Sequence, residues 1–560
     1  MVVGSTYPAV ISRQESPDWW RSAFIYQIYP RSFMDSSGDG VGDLAGILQK
    51  LDYVMSLGVD AIWISPFFKS PMKDFGYDIS DYCAVDPIFG TLQDFQQILA
   101  AAHQRGLKVL IDQVWNHTSD QHPWFQESRS SRDNPKADWY VWADPKPDGT
   151  PPTNWLATFG GSVWTWEPRR QQYYLHNFLV EQPDLNWYNL EVIEAIKQVA
   201  RFWLDMGVDG FRLDVVNFYL YDRQLRDNPQ RPANQPRPAG AAPNDPFFSQ
   251  LNLYNFCQPN IAEVLQPIRQ LMDEYPGSTT LAEISSAEDT IATSSEYVRG
   301  RDRLHMAYNS SLMNDEPLTH ERLYQLIAQV EAAFGDGVIC WTAGTHDFPR
   351  LKSRWSKFHV SADVQEQFDH LFVALLISLR GSCCIYQGDE LGLTQAEIPF
   401  EKMQDPFGIA GYPSMLGRDG SRTPMPWYKD QPQAGFTTAL EPWLPIPAEH
   451  QRAAVDVQAA DPNSLLNQYR QLIHWRRQQP ALRQGQLTLL PMPAPVLAFI
   501  RHCRQQKLLC VFNLSFDSAQ LSLTPYPGCQ DQTETGFTYQ RQGDRLELPP
   551  YGVYFGELSQ

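Results

Sequence analysis

Three things are scarce in this 560-residue chain: paired cysteines, runs of basic charge and long apolar stretches. The eight cysteines lie far apart except Cys383 and Cys384, with no CxxC and no histidine at metal-binding spacing. That argues against a disulfide framework or a zinc site and predicts free thiols. The 45 Lys and Arg are outnumbered by 64 Asp and Glu, a formal charge of −19, and no basic run is present to track a phosphate backbone. Nucleic acid and anionic membrane are therefore not expected partners. No window of 18 uninterrupted apolar residues exists, and MVVGSTYPAVISRQESPDWW at the start lacks the basic and apolar regions of an export signal. A cytoplasmic protein is predicted, as a monomer or homodimer.

What is plentiful is apolar and aromatic material, 43% and 13% of the chain, enough for a large core. One core serves roughly 250–300 residues, so several units are expected. Short β-branched or aromatic runs recur: FIYQIY at 24–29, AIWI at 61–64, LKVLID at 107–112, GFRLD at 210–214, LAEI at 281–284, LHMAYN at 304–309, VICWTAG at 338–344 and CCIYQG at 383–388. Amphipathic stretches such as 43–57, 92–105, 191–206, 260–274 and 365–380 fill most gaps. Eight alternations of strand and helix predict an α/β fold, a (β/α)8 TIM barrel. The barrel takes residues 1–116 and 188–480, and the Trp-, Pro- and Asn-rich 117–187 is an inserted subdomain after the third strand. Residues 389–455 are a long excursion after the eighth strand, and 481–560, with short strands between turns, form a C-terminal all-β domain. The Pro-rich segment 226–244 reads as a surface loop or lid.

In such a barrel the strand C-termini carry the active site. The polar residues there are Asp78, Asn116, His117, Arg212, Asp214, Glu283, His346 and Asp347. Four carboxylates with no lysine cluster to neutralise them are costly to bury for structure alone. They suit glycosidic cleavage, which needs one carboxylate for the anomeric carbon and one carboxylic acid for the leaving oxygen. Arg212, two residues before Asp214, shares its side of the strand and would keep it ionised. Glu283, near fewer evident cations, would be the more easily protonated partner. Asp112 is expected to be structural, bonding backbone near the site.

DQVWNH at 112–117, GFRLDVV at 210–216, AEIS at 282–285 and THD at 345–347 occur in order. Together they resemble the conserved regions of the α-amylase superfamily of glycoside hydrolases. YQGDELGL at 386–393 and RDGSRTPMPW at 418–427 look like its oligo-1,6-glucosidase and α-glucosidase branch. The resemblance implies that Asp214 is the nucleophile, Glu283 the general acid and base, and Asp347 the stabiliser of the transition state. It implies that Asp78 pairs with Arg418 to bind the non-reducing glucose and block the pocket behind it, giving exo-action on short α-glucosides such as maltose, isomaltose or sucrose. His117, Arg212 and His346 resemble hydroxyl-binding residues, Phe159 and Phe178 a pocket wall, while Tyr77 either stacks on the sugar or packs. Thr345 stands where the family usually has Asn, and Ala282 where Gly is frequent.

Two further expectations concern metal and linkage. DSSGDGVGD at 35–43 presents Asp35, Ser37, Asp39, the carbonyl of Val41 and Asp43 at calcium-loop spacing, though Gly46 stands where the closing glutamate belongs. It resembles the branch's structural metal loop, so Ca2+ or Mg2+ is expected, with an unmetallated turn as the alternative. Val215, after the nucleophile, resembles enzymes that accept α-1,6 bonds. DPFG at 405–408 and GRDGSRTPMPW at 417–427 instead look closest to transglucosylating α-glucosidases that prefer α-1,4 disaccharides. Sugars and small alcohols are the expected acceptors. A trehalose synthase-like or sucrose-acting transferase or isomerase would carry the same acids, and a non-catalytic barrel protein is the remaining alternative.

Overall fold

The computed structural model describes residues 17–238, 241, 245–358 and 362–559. Parts of the 226–244 loop and residues 1–16 of the N-terminal stretch read for an export signal lie outside that set. Eight parallel strands close into a ring: β1 (Phe24–Ile28), β2 (Ala61–Ile64), β3 (Lys108–Gln113), β4 (Gly210–Leu213), β5 (Thr279–Ile284), β6 (Met306–Asn309), β7 (Val338–Thr342) and β8 (Ser382–Tyr386). All eight fall on the runs read from the sequence, and β1 pairs with both β2 and β8 to remove any free edge.

The strands are buried on both faces, and their period of two sorts the side chains. Phe24, Tyr26, Ile62, Ile64, Val109, Ile111, Phe211 and Ala282 join the large apolar layer under the helices. Ile25, Ala61, Trp63, Leu110, Leu281, Met306, Val338, Cys340 and Cys384 form a separate inner core that plugs the barrel. The next inward positions toward the C-terminal end are Asp112, Arg212, Glu283 and Tyr308, so one alternation yields an apolar floor and a polar ceiling. Register sets their neighbours: Asp112 lies opposite Arg212, and Glu283 opposite Tyr308. Gly210 allows β4 and β5 to approach, since a Cβ there would lie 2.3 Å from the Thr279 carbonyl oxygen.

The helices begin where capping residues direct. Thr91 and Asp94 form a reciprocal capping box for Leu92–Gln104, and Asn189 caps Leu190–Asp205. Between β3 and β4 the insert carries helix Pro123–Ser128 and a three-stranded antiparallel sheet of Trp142–Ala143, Trp164–Glu167 and Gln172–Leu175. Bridges His117↔Asp184 and Tyr140↔Leu185 tie its two ends together, and the Leu185 N–H donates to the Asn116 carbonyl just past β3. After the barrel come a five-stranded and a three-stranded antiparallel sheet. Arg501 is buried at that junction and donates to the carbonyls of Ser378, Leu379, Leu482 and Gly485. The eight cysteines are free thiols, and no helix among the described residues is long and apolar enough to cross a membrane.

Candidate active site

One guanidinium organises the mouth of the barrel. Arg212 is fully buried and donates through Nη1 to Asp112 Oδ1 at 2.8 Å and Asp214 Oδ1 at 2.6 Å, and through Nη2 to Glu283 Oε2 at 2.5 Å. Glu283, expected near fewer cations than Asp214, therefore shares the same arginine with it. Glu283 Oε2 also accepts from the backbone N–H of Val215 at 3.2 Å. Asp214 Oδ2 and Glu283 Oε1 receive no hydrogen bond from any described residue. Each acid thus holds one oxygen fixed and leaves one for chemistry.

Burial pushes both carboxyls up, Arg212 pulls them down, and their neighbours Asp112 and Asp347 push up again. Arg212 stays charged beside three carboxylates, so full ionisation would leave an excess of negative charge, and a shared proton relieves it. Asp112 accepts from the side chains of Arg212, Trp63 and Tyr77, not from backbone as expected, because the inward β3 position faces only other inward side chains.

A second cluster comes from the loops. His346 Nδ1 faces the Gln27 amide nitrogen at 2.9 Å, which leaves the ring hydrogen on Nε2, toward Tyr77 Oη at 2.7 Å and Asp347 Oδ2 at 3.2 Å. Tyr77 stacks on the His346 ring. Burial holds His346 well below its usual range and His117 down at about 3, keeping both neutral. Asp347 accepts from Arg422 at 2.8 Å and Arg418 at 3.4 Å. Burial would raise this carboxyl, but the Nε2–H of neutral His346 and the guanidinium groups of Arg422 and Arg418 outweigh it and hold it below the ordinary range. Its side chain is 27% exposed against 8% for Asp214 and 10% for Glu283, so Asp347 presents the most open carboxylate of the three. Thr345 Oγ accepts from the Asp347 N–H at 3.2 Å, giving that departure from the family pattern a local role.

The expected pair of Asp78 with Arg418 is not formed. Asp78 is fully buried and accepts from Ser70 Oγ, the Lys73 N–H and the Asp74 N–H, which consumes its oxygens in closing its own loop. Arg418 instead reaches Asp74 Oδ1 at 2.7 Å and Asp405 Oδ1 at 2.7 Å. Gln182 of the insert donates to Asp74 at 3.1 Å and lies 3.2 Å from His117 Nε2, so it joins this cluster to the β3 end. No spacing in the sequence points to Asp74, Asp405, Gln182, Arg422 or Tyr308. Asp74 lies only three residues before Tyr77, but a loop has no period from which to choose between two aspartates.

Phe159 and Phe178, read from sequence as a pocket wall, are in contact with each other. Phe159 packs edge-on against Phe178 and also contacts Phe407, with the Arg418 guanidinium 5.0 Å over its ring. Phe178 touches His117 and Phe218. Val215 leaves the strand in a left-handed turn with φ of 36°, uncommon for a β-branched residue, and packs with Phe218, Phe247, Phe248 and Phe256.

The 35–43 loop is all oxygen in its donors, which suits a hard cation. Asp35 already accepts from the N–H groups of Ser37, Gly38 and Gly40 and from Thr437 Oγ, and Asp43 from those of Ser36, Ser37 and Gly46 and from Ser36 Oγ. An ion would have to displace some of these donors, and no group of three or more His, Cys, Asp or Glu able to hold a metal occurs among the described residues. Asp39 accepts from the Val41 N–H. The missing glutamate has a steric cause: a Cβ on Gly46 would lie 2.0 Å from the Met34 carbonyl oxygen.

An eight-stranded barrel with acids at the ends of β4 and β5 defines a class, and residues 27–485 match the family described as alpha amylase, catalytic domain. The chain belongs to that family. A protein of Rhizobium meliloti (strain 1021) named probable alpha-glucosidase is 47% identical over 542 residues, 97% of either chain. An oligo-1,6-glucosidase of Heyndrickxia coagulans is 36% identical, with 89% of this chain and 92% of that one covered. The crystal structure of the alpha-glucosyl transfer enzyme XgtA superposes with a TM-score of 0.92 at 51% identity, over 97% of this chain and 100% of that one.

Proposed function

We propose that the protein is a retaining, exo-acting α-glucosidase of the cytoplasm that hydrolyses short α-glucosides and transfers glucosyl groups to sugar or small-alcohol acceptors. The observation that carries this is the Arg212 bridge, which fixes Asp214 Oδ1 and Glu283 Oε2 and leaves Oδ2 and Oε1 unclaimed. Asp214 Oδ2 attacks the anomeric carbon as Glu283 Oε1 delivers its proton to the leaving oxygen. The C–O bond to the leaving group breaks as the glucosyl–Asp214 ester forms. Glu283, now ionised, takes a proton from water or an acceptor hydroxyl, whose oxygen displaces Asp214 and regenerates both groups.

Asp347, held ionised by two arginines, takes ring hydroxyls, and Arg418 fixed to Asp74 closes the pocket beyond one glucose. The free thiols favour a reducing compartment. Products after incubation with maltose, isomaltose, sucrose and trehalose test the reading. Glucose and longer glucosides from maltose are expected, with measurable isomaltose cleavage. Isomeric disaccharide without free glucose would replace it with an isomerase.

A divalent ion, Ca2+ or Mg2+, in the 35–43 loop is a separate proposal, supported by the spacing of Asp35, Ser37, Asp39, Val41 and Asp43. Binding to the native state alone raises stability, so a chelator is expected to lower Tm. An unchanged Tm would leave the loop held by its own hydrogen bonds.

A further inference from the structure

We infer that Tyr308 is a positioning residue whose hydroxyl oxygen orients the Arg212 guanidinium so that Nη2 engages Glu283, and that it thereby governs proton delivery to the leaving group. The inference rests on the glucosidase reading above. Tyr308 ends the inward face of β6, opposite Glu283 in the β5–β6 register. Its Oη accepts from Arg212 Nε at 3.1 Å and from Nη2 at 2.7 Å.

Among the described residues, Tyr308 is the acceptor for Nε, while Nη1 is taken by Asp112 and Asp214. The two edges of the guanidinium therefore have different anchors. Asp112 secures the edge that serves the nucleophile, and Tyr308 secures the edge that serves Glu283. The Trp63 ring 4.8 Å away supports the plane but offers no in-plane acceptor. Burial pushes the Tyr308 phenol well above its ordinary range, so it remains a neutral acceptor at working pH.

Removing this oxygen leaves a buried Nε–H without a partner and frees the Nη2 edge to turn. Because Nη1 keeps two carboxylates, the loss falls on Glu283 and spares Asp214. Proton donation matters only when the leaving group needs a proton, and that separates this role from a general loosening of the site.

The test compares maltose, whose glucose leaving group must be protonated, with α-glucosyl fluoride, whose fluoride leaves without such help. For Tyr308→Phe, kcat/KM on maltose is expected to fall about 10- to 100-fold, the range of a proton-transfer contribution. The loss should lie in kcat with KM within about twofold, and kcat/KM for the fluoride, which reports ester formation and not the later step in which Glu283 acts as base, should stay within about threefold of the parent. Equal losses on both substrates would place Tyr308 in the nucleophile's support or the fold, and no loss on either would make it a packing residue; each result overturns the inference. Should Tyr308→Phe fail to fold, 3-fluorotyrosine at 308 keeps the ring and weakens the oxygen as an acceptor. The maltose-selective loss should then appear in reduced form, and an unselective one would overturn the inference. Failure of the parent enzyme to release glucose from either substrate would sink the glucosidase reading instead.

Discussion

The two halves of the pocket are built differently. Asp214, Glu283, Arg212, Asp112 and Tyr308 lie on or at the ends of barrel strands, where hydrogen-bond register fixes each Cα and alternation fixes which side chains turn inward. Asp74, Asp347, Asp405, Arg418 and Arg422 lie on loops, where hydrogen bonds and ion pairs alone decide who faces whom. On the proposed function the strand half carries the bond-making chemistry, and the loop half closes the pocket and sets what fits. Apart from Asp347, read as the stabiliser of the transition state, their costs of alteration should differ in kind, turnover for one and binding or selectivity for the other.

The largest effect should come from the strand half. Asp214→Asn and Glu283→Gln are each expected to lose turnover on maltose by about 10³-fold or more, with thermal unfolding close to the parent's, because proton transfer and covalent catalysis are removed while the register is untouched. Near-normal kcat for Asp214→Asn, with deamidation excluded by mass, would break the division at once.

The loop half should respond through KM. Arg418→Ala and Asp74→Asn are expected to raise KM about tenfold or more with smaller changes in kcat, since a charge-assisted contact is worth about 1.5–3 kcal/mol. Asp78→Asn should instead appear in stability, because its oxygens hold loop N–H groups rather than substrate.

Burial pushes Asp78 up to about 6, above the unfolded carboxylate, so the native state binds the extra proton between the two values. Its contribution is fully present below about 4 and lost as pH rises through about 6. Unfolding free energy measured across that window should slope downward in the parent and flatten in Asp78→Asn. A large KM effect from Asp78→Asn with none from Asp74→Asn would restore the pairing expected from sequence.

The smallest effect lies at the join of the halves. Val215 ends the strand in a left-handed turn, donates its N–H to Glu283 and packs its side chain among phenylalanines. Val215→Thr is expected to lower the isomaltose-to-maltose ratio of kcat/KM, by about 1–3 kcal/mol at most for a methyl-for-hydroxyl exchange. An unchanged or raised ratio would reduce Val215 to packing.

The same comparison explains what could be read beforehand. All eight barrel strands were legible because fully buried parallel strands are continuous β-branched and aromatic runs. Arg212 and Asp214 followed from a spacing of two on one strand. Contacts between strands are not legible in a sequence: nothing in it shows that Arg212 also reaches Glu283, that Asp112 faces side chains rather than backbone, or that the tyrosine of LHMAYN meets Arg212. Asp74 and Asp78 sit in one irregular loop, and only the fold shows that Asp78 spends its oxygens inside that loop while Asp74 turns to Arg418. Gly46 was legible as a missing ligand, but its cause, the Met34 carbonyl against it, is a contact across the chain.

The central claim is that Asp214 forms the covalent bond to glucose while Glu283 handles the proton. A fluorinated α-glucosyl fluoride that forms the ester quickly and hydrolyses slowly tests it most directly, with the trapped protein digested and the labelled peptide sequenced by mass spectrometry. The account predicts one glucosyl-sized mass on the peptide containing GFRLDVV, localised to Asp214. A label on Glu283 or Asp347, or steady turnover of the reagent with no covalent adduct, would contradict it.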